Sequence, residues 1–427
     1  LQNRISQRPS RRSKPRYAAL ATACALAFLC VPAQAGPYLL VEAGNGRVIA
    51  QSDAGRPWYP ASVTKLMTVY VAFQAMRDRK VEPSTLLKVS ANALAQPPSK
   101  MGFSVGTELT LDNAIKMLMV RSANDIAVVI AEGIGGSVES FVHQMNAAAG
   151  RLGMDGTRYV NPHGLPDENQ VTTARDMAIL ARALIRDFPE YELYFRIPAL
   201  QLGKRIIRNH NRLIDHYPGA DGMKTGFICS SGFNVVAGAT RNGKRLIAVV
   251  FGAYSSAQRA EDAARLFERG FKRDIALSDT QYVLLDNVRN QMGEPEDLRE
   301  AMCSGKRKRP VAESDIDDDD DQETPPVTAG KTAAKAKQVK QSLLVDLPPS
   351  MPPIRVFTGP VLKMPEGNLG TASAKEKTEK SAVPAKSDAK PRPTTASAPA
   401  AAAAAKPAAK PTMPPAPGNV STAKPKS

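Results

Sequence analysis

Between residues 36 and 274 the apolar positions change period repeatedly, and each change marks an element. Tyr38-Leu39-Leu40-Val41-Glu42 and Arg47-Val48-Ile49-Ala50 flank Gly44-Asn45-Gly46, which predicts a β-hairpin around an Asn-Gly turn. A helix is expected from Ser62 to about Asp78, because an apolar run fills most of that interval. Residues 79–106 are mixed and read as loops with short strands. Asp112 is the expected cap of a helix over 113–120, followed by a break at Arg121-Ser122-Ala123-Asn124 and a second buried helix from Asp125. Residues 139–152 read as a helix ended by Gly153, and 159–171 as a polar loop. Thr173 and Asp176 form a capping pair for a helix reaching about Arg186. Two Val/Ile/Phe-rich strands, 233–239 and 245–253, surround Asn242-Gly243, with a further strand over 221–227. An amphipathic helix over 257–273 closes the series. Strands at both ends with helices between predict an α+β fold, an antiparallel sheet covered by a helical cluster.

Composition then limits where a core can form. Beyond residue 304 the chain turns Pro-, Ala-, Lys- and Asp-rich. One globular domain over 36–274 is therefore expected, with a short extension over 275–303 and a low-complexity, mostly disordered tail over 304–427. The tail holds a basic block at Lys306-Arg307-Lys308-Arg309, an acidic block over 317–321 and an Ala/Pro/Lys spacer over 398–414. Its apolar island, Leu343-Leu344-Val345 and Ile354-Arg355-Val356-Phe357, reads as an incidental semi-ordered segment. At the other end, Arg4, Arg8, Arg11, Arg12, Lys14 and Arg16 precede an apolar run over 18–31 and the small-x-small site Ala33-Gln34-Ala35. That is the pattern of a signal peptide over 1–35, predicting export to the periplasm or cell envelope.

Losing those six cations lowers the formal charge from +16 to +10. Aromatics are few and no nucleic-acid motif is present, so an anionic envelope polymer or membrane surface suits this charge better than nucleic acid. The last residues, 414–427, lack an apolar face, so no clear membrane anchor is read there. No cofactor is expected, and His210 and His216 show no metal-ligand spacing. Cys229 reads as a small buried residue, and its pairing with Cys303 as a structural disulfide has no strong support in the pattern.

Candidate chemistry concentrates in three short stretches that follow one another in order: Ser62-Val63-Thr64-Lys65, Ser122-Ala123-Asn124 and Lys224-Thr225-Gly226. Positions i and i+3 share a helix face, so Ser62 and Lys65 can meet. A serine hydroxyl needs a base to become a nucleophile, and a neutral amine serves. Ser62 would thus be acylated, Lys65 would take its proton, and Ser122 would relay a proton to the leaving amine. Asn124 would hold Lys65 and a substrate carbonyl, while Lys224 and Thr225 would bind a substrate carboxylate. Gly226 would leave room for a substrate strand, and the backbone N–H groups of Ser62 and Phe227 would form an oxyanion hole. His163 is expected to serve only local hydrogen bonding.

With these motifs the chain resembles the serine D-alanyl-D-alanine carboxypeptidases, the low-molecular-mass penicillin-binding proteins. The likeness includes Tyr59-Pro60-Ala61-Ser62, Met119-Val120-Arg121-Ser122-Ala123-Asn124-Asp125, Asn161-Pro162-His163-Gly164-Leu165, Asn209-His210-Asn211 and Asp221-Gly222-Met223-Lys224-Thr225-Gly226. It implies a β-lactamase/transpeptidase-like fold, removal of the terminal D-alanine from peptidoglycan stem pentapeptides, and acylation by β-lactams. Phe227-Ile228 depart from the polar residue that many relatives carry after Lys-Thr-Gly. The β-rich second domain of many relatives has no counterpart in the patterning after Ile275. Alternatives on the same residues are a DD-endopeptidase, a class A β-lactamase and a non-catalytic wall-binding protein. The β-lactamase would need a deacylating glutamate, for which Glu168 lacks the sequence context.

Overall fold

The computed structural model describes residues 36–272, 282–304 and 342–360; the expected signal peptide, charge blocks and spacer lie outside them. The hairpin forms as read, from β1 (Tyr38–Glu42) and β2 (Val48–Ser52). A single 3-10 turn, Ala61–Thr64, leads into α1 (Lys65–Arg77). All of α1 except Gln74 and Arg77 is buried, as befits a helix that is apolar nearly all round. Then follow β3 (Leu86–Lys88), α2 (Ala91–Ala95), β4 (Glu108–Thr110), α3 (Leu111–Val120), α4 (Asn124–Gly135), α5 (Val138–Leu152) and α6 (Ala174–Asp187). Thr110, not Asp112, caps α3: its hydroxyl accepts the Asn113 N–H at 3.2 Å. Asp112 instead sits in the first turn, where a carboxylate favours the helix dipole, and pairs with Lys116. The Thr173 cap and the Gly153 stop are found where expected.

The main sheet is antiparallel, in the order β2-β1-β9-β8-β7, with β7 (Ala220–Ile228), β8 (Gly232–Arg241) and β9 (Lys244–Ala253) from the second half of the domain. Side-chain alternation sorts its residues between two cores. Leu39, Val41, Val236, Ile247 and Val249 face the helical cluster of α1 and α3–α6, whereas Leu40, Val235, Leu246, Ala248 and Val250 face α7 (Ser256–Lys272). β7 lies at the sheet's edge, so one side of its backbone stays available at the cleft.

Short strands β5 (Ala199–Leu202) and β6 (Arg205–Arg208), absent from the sequence reading, form a second small sheet. Its third member is β10 (Ile354–Val356), paired in parallel with β5. Upstream, the Val345 and Leu347 N–H groups donate to the carbonyls of His216 and Asp215 at 2.9 and 3.0 Å. The apolar island therefore docks, contrary to its reading as incidental, because Leu343, Leu344, Ile354 and Val356 find apolar neighbours on the domain.

The extension over 282–304 also packs on the domain. Val283 accepts from the Val48 N–H, Asn290 reaches Thr173 and Asp176, and α8 (Arg299–Cys303) brings Cys303 to Cys229. The two form a disulfide across 74 residues, which corrects the expectation drawn from their spacing. Linear distance concealed it: the pair meets only because the extension crosses from β2 to the β7–β8 turn.

Candidate active site

Ser62 lies in the tight turn before α1, and neighbouring backbone presses on this turn from two sides. Asn234 of β8 donates to the carbonyls of Tyr59 and Pro60 at 2.9 and 3.2 Å. A Cβ at Gly226 would come within 2.7 Å of Ser62 N, and one at Gly164 within 1.9 Å of Ala61 O. Both positions demand glycine for contact with the nucleophile's own turn, and Gly164 adds a left-handed φ of +89°. For Gly226 this requirement precedes any need to admit a substrate strand.

One turn on, the Lys65 side chain is fully buried. Its Nζ lies 3.0 Å from Ser62 Oγ, 2.8 Å from Asn124 Oδ1 and 2.6 Å from the His163 carbonyl. Ser122 takes a left-handed conformation, φ +62°, in the break between α3 and α4. Its Oγ is buried with no hydrogen-bond partner among the described residues, yet Ser122 lines the same cleft as Ser62. Such an orphaned hydroxyl is costly unless something else employs it.

Asn124 is oriented from both ends of its amide, Oδ1 toward Lys65 and Nδ2 donating to Pro97 O at 2.9 Å. Behind it stands Asp125, which the sequence reading quoted without a role. Its carboxylate accepts the backbone N–H groups of Met101 and Gly102 at 3.1 and 2.8 Å. That folds the segment carrying Pro97–Ser99 over the second motif, where Ser99 O accepts the Asn124 N–H at 2.7 Å. An Asp at the first turn of an α-helix is ordinary, so sequence alone gave no signal for this second task.

The third motif occupies edge strand β7. Lys224 and Thr225 are almost wholly buried, and the Lys224 ammonium donates to Thr225 O at 3.0 Å. Phe227 and Ile228 line the cleft opposite Pro98 and Ser99, with the Phe227 ring 4.3 Å from that of Phe233. Gly164, Leu165 and His210 complete the lining. His163 turns its ring inward, its Nδ1 accepting the Leu165 N–H at 3.2 Å. Burial, and secondarily the Lys65 charge, push its pKa down to about 3, so the ring stays neutral at ordinary pH. Glu168 is exposed and does not line the cleft. No cluster of His, Cys, Asp or Glu among the described residues is suited to a metal.

Residues 28–255 match the D-alanyl-D-alanine carboxypeptidase family. The chain belongs to this family. Similar curated members include D-alanyl-D-alanine carboxypeptidase DacC of Escherichia coli K12, 36% identical over 242 residues, which are 55% of this chain and 60% of the relative. DacF of Bacillus subtilis is 34% identical over 246 residues, covering 56% and 63%. The chain thus spans about three fifths of the length of the curated relatives it matches. Among solved structures, penicillin-binding protein 5 of Haemophilus influenzae superposes with a TM-score of 0.54 at 33% identity, covering 56% of this chain and 71% of that one. Penicillin-binding protein 6B of E. coli gives 0.54 at 31%, with 58% and 82% covered. The transpeptidase-like α+β architecture expected from the motifs is the one observed. All three motifs of this carboxypeptidase-family chain converge at one cleft, with Lys65, Lys224 and Thr225 beneath its surface and Ser62, Ser122 and Phe227 at it.

Proposed function

We propose that the chain is a serine D-Ala-D-Ala carboxypeptidase that trims the terminal D-alanine from peptidoglycan stem pentapeptides. The observation that carries this reading is the buried Lys65 amine, 3.0 Å from Ser62 Oγ in a cleft that also holds the unpartnered Ser122 hydroxyl. Two other acceptors, Asn124 Oδ1 and His163 O, can take the protons of a neutral amine. Its lone pair is then left for the serine.

In this mechanism Ser62 Oγ attacks the carbonyl carbon of the penultimate D-alanine as its proton passes to Lys65. The tetrahedral oxyanion rests on the Ser62 and Phe227 N–H groups. Collapse breaks the peptide C–N bond, and Ser122 relays the proton from Lys65 to the departing D-alanine amine. Water then attacks the Ser62 ester, giving up its proton to Lys65, which returns it to the departing Ser62 Oγ as the shortened peptide is released. Lys224 and Thr225 hold the terminal carboxylate, and Asn124 the substrate amide. The substrate backbone lies along the available edge of β7, an arrangement that uses strand addition.

A β-lactam presents its strained amide to the same serine and would acylate it, as the names of the similar penicillin-binding proteins imply for those proteins. We place the enzyme in the periplasm or cell envelope, exported by its first 35 residues, with a role in cell wall biogenesis. We also read residues 36–303 as one catalytic unit, the extension included.

The test is the mass of the intact protein after penicillin treatment, beside the Ser62→Ala variant. One covalent adduct on the parent, absent from the variant, is expected. An adduct that persists in the variant sinks the assignment. Digestion of pentapeptides and of cross-linked dimers then separates carboxypeptidase from endopeptidase activity. Glu168 is exposed and is not among the residues lining the cleft, which speaks against rapid β-lactam turnover.

A further inference from the structure

We infer that the extension over 282–304 is a clasp that sets the position of the substrate-binding end of β7. Its evidence is the juxtaposition of the Cys229–Cys303 disulfide with the cleft wall formed by Phe227 and Ile228. This inference rests on the carboxypeptidase reading only for the identity of the substrate.

An edge strand is paired on one side only, so its end is the part of a sheet most ready to fray. β7 ends at Ile228, paired with Gly232 across the short turn of Cys229, Ser230 and Ser231. That end lines the cleft, and besides β8 only the Trp58 indole N–H, donating to Ser231 O at 3.1 Å, reaches its turn from the body of the domain. The extension adds a covalent and a hydrogen-bonded restraint. The Leu298 N–H donates to Ser230 O at 2.9 Å, and Cys303 is bonded to Cys229. Met302 and Leu298 are themselves buried in the main core, so the clasp is seated and not merely tethered.

Further back, Glu296 pairs with Arg56, and the Gln291 N–H donates to Gly55 O at 2.8 Å. Gly55 admits this crossing, because a Cβ there would meet Arg289 O at 2.1 Å. Asn290 is fixed by Thr173 and Asp176, at 2.8 and 3.0 Å. The extension also bears on the segment before Ser62: burial first, then Asp297 with Glu168 and Glu294, raises the Tyr59 hydroxyl pKa. The family match ends at residue 255, so Cys303 and its whole segment lie beyond it.

The restraint acts on the strand end that pairs with substrate and carries the Phe227 N–H, whereas Ser62 and Lys65 sit on a turn and helix outside the extension. Cys303 and Leu298 are therefore positioning residues. In the full chain, Cys229→Ala/Cys303→Ala should raise KM for a pentapeptide by about tenfold, the loss of roughly one hydrogen bond's worth of binding. kcat and the rate of penicillin attachment should fall as well, by no more than about tenfold, because the same strand end carries the Phe227 N–H of the oxyanion hole. If the double variant does not fold, the wild-type protein reduced under native conditions takes its place, with recovery on reoxidation. Hydrogen exchange supplies a readout independent of any activity. Reduction should speed exchange at the amides of residues 227–231 while leaving those of residues 65–72 unchanged. Unchanged KM, with only a lower Tm, would make the extension a plain stabiliser and overturn the inference. So would uniform exchange along β7. A wild-type protein that neither takes penicillin nor trims the pentapeptide would instead defeat the functional reading, while the exchange result still decides the clasp.

Discussion

The turn at Ser62 and the returning segment over 342–360 are both joined to the domain by distant residues, but with different consequences. At the turn, backbone meets backbone at Gly164 and Gly226, and Lys65 is held by three oxygens from separate elements. The returning segment adds a short strand to the exposed edge of β5, buries Val356 and lays a few half-buried apolar side chains on the surface. Contacts of the first kind admit almost no displacement, because packed backbone and buried polar groups have few alternative arrangements. Contacts of the second kind contribute area and are replaceable. Reactivity should therefore be sensitive to the first region and indifferent to the second.

Lys65→Met is the strongest way to sharpen the contrast. Penicillin attachment should slow by about a thousandfold, the scale of a lost general base, while the folded state persists. If attachment continued at the parent rate, the base would have to be sought elsewhere. Gly164→Ala comes next. Its Cβ would lie 1.9 Å from Ala61 O in a left-handed backbone, so a destabilisation of about 3 kcal/mol is expected, with attachment lost in proportion to the displaced turn. Denaturant midpoints and adduct formation would be read together; parent-like values for both would show the turn to be yielding.

Val356→Asp tests the other side. It buries a carboxylate in the small sheet, which should release β10 and lower stability by about 1–2 kcal/mol. Penicillin attachment at Ser62 should remain within twofold. A large loss of acylation would break the comparison and tie the returning segment to the cleft.

The last test concerns pH. His163 has a folded pKa pushed down to about 3 by burial and then by Lys65, against 6.5 for the ordinary side chain. The unfolded chain therefore binds the extra proton first. The neutral ring's contribution is fully present above about pH 6.5 and is lost progressively as pH falls toward 3. Over that window the stability of the parent should fall more steeply than that of His163→Gln, by up to about 1.4 kcal/mol per pH unit. Parallel unfolding curves for the two proteins between pH 4 and 6 would show that the imidazole is not held neutral.

Legibility from sequence followed the range of the contacts. The hairpin, the Thr173 cap, the Gly153 stop and the long strands β8 and β9 rest on neighbours in the chain, and each was readable. The cap of α3 was misassigned by two residues, since Thr110 and Asp112 are both good capping types and only the hydroxyl's geometry distinguishes them. β5, β6 and β10 are too short for a clear period of two, and β10 exists only because β5 is there to pair with it. In the site, Ser62, Lys65, Ser122, Asn124 and the Lys224-Thr225-Gly226 strand stood out because their chemistry repeats a known order. Asp125 and Asn234 did not, because each acts on backbone that is remote in sequence.

The chain's own pattern thus determined the elements, the proposed nucleophile with its proposed base one helical turn away, and the two further motifs. These depend on periodicity and on residue type, both written in the linear order. Tertiary structure decided the rest. It buried Lys65 among three oxygens, left Ser122 Oγ unpartnered beside Ser62, and set β7 at an edge where a peptide can lie. It also joined Cys229 to Cys303 and returned the apolar island to β5. Such features arise from long loop closures, whose entropic cost grows only slowly with length, so separation along the chain carries little information about who will meet whom.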